Sequence, residues 1–284
     1  MLLRGLTLLA ALAACPRLAA SHAVEDSFHV VVDHLQSPEM AEYGARAKAL
    51  CEEWYPKIDL ILFGPNHGLV HREIRIVIES GEPKSVKTRG AVGYEVASSF
   101  GGVIRIRSKW LESRPKDFEA VIIHELTHVN QDNYALHLRC DGLRAFPCFF
   151  QIRLSHPNRG MDWVGESIND YVAWAVFRKT LQPRLRVDKQ GYLSGQDDSV
   201  PYLHGLERAK IRIPEKGYAL SYAVGASFLL WLELTKDRDI IRKLNVAMSR
   251  LRASPKLFRQ CCGAPVDRLW REFLAASASS STEM

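Results

Sequence analysis

Two histidines four residues apart, His124 and His128, bracket Glu125 in the stretch His124-Glu125-Leu126-Thr127-His128, which follows the apolar run Val121-Ile122-Ile123. On a helix, residues four apart project from one face, so two imidazoles there can bind one zinc ion while the intervening glutamate reaches a water held by the metal. The chemistry of such a set is hydrolytic. Zinc lowers the pKa of its water to about 7, and Glu125 takes the proton as the water attacks a carbonyl, then hands it to the leaving amine.

The elements that must hold these residues are readable from pattern. The segment 117–134 reads as an amphipathic helix: Asp117 and Glu119 sit near its positive N-terminal end, and Val121, Ile122, Leu126 and Val129 supply apolar positions. Hydrolytic zinc needs a third protein ligand. A metzincin would carry Gly at 131 and His at 134, where this chain has Gln131 and Tyr134, so that subclass is excluded. The alternative is a carboxylate from a second helix, predicted to open at Trp163 and to end at Pro183. Glu166 and Asp170 are four apart on it. Glu166 is expected to complete the ligand set, and Asp170 to accept the free N–H of a ligating histidine and fix its tautomer.

With both helices in view, the chain resembles the basic secretory protein family, plant and bacterial proteins classed as zinc peptidases of the gluzincin type. The resemblance spans residues 72–273. It rests on Gly90-Ala91-Val92-Gly93-Tyr94, Val103-Ile104-Arg105-Ile106-Arg107 with Lys109-Trp110, residues 121–131, Glu166 to Val172, Ser221 to Leu229, and Val266-Asp267-Arg268-Leu269-Trp270. Ser167 and Asn169 replace the glycine and alanine of the family pattern, and neither is a proposed ligand. The resemblance implies an α+β, zincin-like fold, in which a small mixed sheet packs on the HExxH helix and a mainly helical C-terminal part follows. It also matches Tyr222 to a family position, which makes Tyr222 the candidate donor to the oxyanion, with Tyr218 and His204 as competitors. In zinc peptidases of this kind the strand before the metal helix usually lies at a sheet edge and pairs with substrate. Val103–Arg107 fits that place, making Ile104, Arg105 and Ile106 the expected substrate-binding residues. Arg105 and Arg107 could favour acidic side chains or simply guard an edge, and the latter is the safer reading.

The 284 residues, 47% of them hydrophobic, suffice for one substantial core. A single catalytic domain is expected over 24–275, with a disordered tail at 276–284. The N-terminal stretch 1–23 has the charge and short apolar run of a secretory signal, implying a secreted or periplasmic protein. Cleavage after Ala23 is favoured over lipidation at Cys15, because Pro16 follows that cysteine directly. Five cysteines remain past the signal: Cys140 with Cys148 could close a loop, and Cys261 or Cys262 could reach Cys51. The net charge of +6 and pI near 9.0 imply attraction to anionic cell walls or membranes. The basic residues are dispersed and no nucleic-acid motif appears.

Strands are predicted over 28–33, 73–78, 93–97 and 103–107, and helices over 38–55, 219–234, 238–252 and 266–275. The long connections 136–162 and 184–216 are read as shaping a substrate cleft. Peptide or protein is the expected substrate and one Zn2+ the expected cofactor. Two other functions stay open at this point: a catalytically silent wall-binding or defence protein that keeps the fold, and a zinc amidase of cell-wall peptides.

Overall fold

The computed structural model describes residues 27–33, 38–65, 67–88, 91–131, 161–186, 213, 217–219, 221–250 and 252–279. Outside them lie the expected signal segment with Cys15, most of both long connections, Cys140, Cys148, His204 and the last five residues.

Strand β1 (His29–Asp33) leads through a short 3-10 turn (Pro38–Met40) into helix α1 (Ala41–Phe63) and back to β2 (Glu73–Glu79), parallel to β1. The hairpin β3 (Lys84–Thr88) and β4 (Ala91–Glu95) forms its own two-stranded sheet. The chain then runs through β5 (Ala97–Phe100) and β6 (Val103–Arg107). The main sheet has the order β1-β2-β6-β5, with β6 parallel to β2 and β5 antiparallel to β6. A period of two sorts its faces. Ile74, Ile76, Ile78, Ile104 and Ile106 are buried, while Glu73, Arg75 and Arg105 point away. Helix α1 lies against β1 and β2, and α3 against β5 and β6.

After the short helix α2 (Ser108–Ser113) comes α3 (Phe118–Gln131), which carries the histidine pair. Helix α4 (Asp162–Asp170) widens at once into a π-helical stretch, Tyr171–Phe177, and the run stops at Lys179, whose φ of 57° is left-handed. The remainder is α5 (Tyr222–Thr235) after a 3-10 turn at Gly217–Ala219, then α6 (Ile240–Ser249), α7 (Lys256–Cys262) and α8 (Val266–Ser279). The protein is thus α+β, a small mixed sheet backed by many helices. No helix among the described residues is long and apolar enough to cross a membrane.

Several expectations are corrected. Helix α1 continues through Pro56 to Phe63, past its predicted end at residue 55. Cys51, Tyr55, Ile58 and Leu62 form one buried stripe across that proline, and this packing outweighs the roughly 3 kcal/mol that an interior proline costs. The predicted strand 93–97 breaks at Val96, so its first part serves the hairpin and its last residue the main sheet. Helix α4 and its π extension end at Phe177, short of Pro183. The C-terminal helix reaches Ser279, past the expected start of a disordered tail. Ser277 is buried there and accepts a hydrogen bond from the backbone N–H of Leu185. Cys51, Cys261 and Cys262 are free thiols, so neither of the last two pairs with Cys51. Burial holds the Cys51 thiol well above its ordinary pKa and raises that of Cys262 to about 11.

Candidate metal centre

Helix α3 is buried on almost every side. Between Phe118 and Gln131 the residues short of full burial are Glu119, His124, His128 and Gln131. The stripe left open in mid-helix is therefore the histidine pair, with rings 5.1 Å apart. Thr127 and Asn130, polar and buried, donate to backbone carbonyls one turn back, and Asn130 also reaches the Tyr55 carbonyl of α1, which ties the two helices together.

Helix α4 packs on α3 and brings Glu166 to this stripe. Its Oε2 lies 3.4 Å from Nε2 of His124 and 3.3 Å from Nε2 of His128. One donor atom from each of the three residues lies within 4.8 Å of the others, close enough for one ion to reach two nitrogens and a carboxylate oxygen. Asp170, one turn further along α4, accepts from Nδ1 of His124 at 2.8 Å and is itself buried. That bond leaves Nε2 of His124 as the ring nitrogen that could face a metal ion.

The charges fit a cation site. Burial alone would push the Glu166 carboxyl up, but hydrogen bonds from His124 and His128, and their charge, hold it well below the ordinary range. Burial opposes the charged form of His124, yet its bonds to Asp170 and Glu166 raise its pKa well above the ordinary value. The Glu166 oxygen thus faces both Nε2 atoms across the space that a metal ion would share with them. Glu125 is 7% exposed, and its buried Oε2 has no hydrogen-bond partner among the described residues. An acid buried without a partner costs stability, and such groups concentrate at functional sites. The donor set of two imidazoles and a carboxylate, beside an unpartnered carboxylate, fits a bound metal ion.

Of the candidate oxyanion donors, Tyr222 opens α5 with its ring centroid 6.4 Å from that of His124. It is half exposed, and burial together with Glu166, Asp170 and Glu125 raises its hydroxyl to about 12. Tyr218 faces elsewhere: its hydroxyl donates to Asp267 at 2.8 Å, and its ring lies among Trp163, Phe228 and Trp270.

A family model described as a peptidase of plants and bacteria matches residues 72–273. The chain belongs to this family, the basic secretory proteins. No curated protein and no solved structure matches it. The matched span holds all of the cluster, from His124 to Tyr222. Helix α1 lies ahead of it yet packs along α3, so this member of the basic secretory protein family supports its histidine helix with residues outside the matched span.

Two substrate-side expectations change. Strand β6 is internal, paired with β2 on one side and β5 on the other, so the backbone of Ile104, Arg105 and Ile106 has no free edge for a substrate strand. Ile104 and Ile106 are buried toward the core. Arg105 and Arg107 both meet Glu79, at 3.4 and 2.6 Å, so their charge is already engaged. The margins of the sheet are β1 and β5, and of these β5 packs on α3. Sequence reasoning also passed over Asn169. It is fully buried, and its Nδ2 lies 2.8 Å from both ring nitrogens of His128. Its place directly before Asp170 on α4 was the available signal.

Proposed function

We propose that the chain is an exported zinc-dependent peptidase of the zincin-like, gluzincin type. The observation that carries this reading is the convergence of His124, His128 and Glu166 donor atoms within 4.8 Å, in a chain whose family is described as peptidases. Those three residues would hold the zinc, which when bound supplies a Lewis acid and makes water a nucleophile near neutral pH.

The chain's own residues do the rest. Glu125 is the general base: its unpartnered Oε2 takes a proton from the attacking water and returns it to the leaving amine. Asp170 holds the His124 ring by its Nδ1. Tyr222, whose hydroxyl keeps its proton at neutral pH, donates to the oxyanion as the carbonyl is attacked. An extended peptide would add to the outer edge of β5, which no described strand covers and which runs beside α3. The basic charge favours a place of action near anionic walls or membranes.

Cleavage of unmodified peptide libraries by wild type and by Glu125→Gln tests the proposal. Loss of a proton-transfer group predicts a fall of about 10²- to 10⁴-fold in kcat with the metal retained. Equal cleavage by both proteins would remove Glu125 from the mechanism.

A further inference from the structure

Both Nε2 atoms of the histidine pair converge on one oxygen of Glu166. Nδ1 is therefore the outward nitrogen of each ring. A neutral imidazole that ligates through Nε2 carries its proton on Nδ1, and that N–H needs an acceptor. On His124 the acceptor is Asp170. On His128 the neighbour is Asn169, whose amide nitrogen stands 2.8 Å from both ring nitrogens while its buried Oδ1 has no hydrogen-bond partner among the described residues.

An amide nitrogen only donates, so in this orientation it answers a ring nitrogen that bears no proton. A half-turn about the Cβ–Cγ bond exchanges nitrogen for oxygen and sets an acceptor beside the ring, from which a small rotation of the ring brings the Nδ1 proton of a ligating His128 into line with it. We infer that Asn169 is a positioning residue for His128: when Nε2 takes a metal, the amide presents Oδ1 to Nδ1–H and fixes the ring, as Asp170 does for His124. Consecutive residues of α4 thus serve the two histidines of α3. The two supports are unequal, since a carboxylate raises the basicity of its histidine more than a neutral amide does. This inference rests on the reading of the cluster as a metal site.

Zinc affinity, measured by competition with a chromogenic chelator in wild type, Asn169→Ala and Asn169→Asp, tests it, with ring 15N shifts of His128 beside it. Asn169→Ala is expected to bind zinc about 10- to 100-fold more weakly and to lose the single Nδ1–H tautomer of His128. Asn169→Asp, which keeps an acceptor oxygen, is expected to restore most of the affinity and the tautomer. Unchanged affinity in Asn169→Ala would overturn the inference. So would an equal loss in Asn169→Ala and Asn169→Asp, because that would mark packing alone. A folded wild type that takes no zinc would instead sink the metal-site reading, and this inference with it.

Discussion

Glu166 and Glu233 are both carboxyls drawn away from water, and their partners send them in opposite directions. Burial pushes each up, but at Glu166 two histidines outweigh it. At Glu233 the partner is the neutral Tyr171 hydroxyl, which donates at 2.7 Å and does not offset burial, so the carboxyl stays raised. A raised acid binds protons more readily folded than unfolded. Its contribution to stability is full below the ordinary 4.5 and is lost as pH rises through the folded value. Glu233→Gln keeps an acceptor for Tyr171 without the charge. It should therefore raise Tm at pH 7 and give no gain below about pH 4.5, as thermal unfolding at the two pH values would show. The candidate ligands were legible because i,i+4 spacing alone puts two side chains on one face. Asn169 was not, because its partner His128 lies on another helix, and which residue faces it depends on how α3 and α4 cross.

At the scale of elements, α4 and α5 touch through Ser167 and Gly225. A Cβ added at Gly225 would lie 2.0 Å from Ser167 Oγ and 2.9 Å from the carbonyl oxygen of Tyr218, so α5 can come this near only without a side chain there. Gly225→Ala should lose about 1–3 kcal/mol in urea unfolding. Adding Ser167→Gly should recover part of that loss, a coupling between contacting sites, with the Tyr218 carbonyl accounting for the remainder. Strand alternation made β2 and β6 legible as half-buried strands, and the helical spacing of apolar residues did the same for α3. The internal position of β6 was not legible, since the direction and order of pairing follow from how Gly101-Gly102 turns the chain between β5 and β6. Nor was the π stretch after Asp170, which changes hydrogen-bond spacing without changing residue type.

Across the whole molecule, a four-stranded sheet supports α3 from one side while α1, α4 and the π stretch close around it. The opening that remains holds the donors of His124, His128 and Glu166, with Glu125 and Tyr222 beside them. The mixed α+β class was legible from the succession of strand and helix patterns. Which buried stripe continues through a proline, as at Pro56, was decided by packing from residues far along the chain. The most direct test of the account is metal content: zinc per chain by elemental analysis of purified wild type, His128→Ala and Glu166→Ala, each shown to be folded. One zinc per wild-type chain, absent from His128→Ala and reduced in Glu166→Ala, is the predicted result. A folded wild type that holds no zinc after reloading would contradict it.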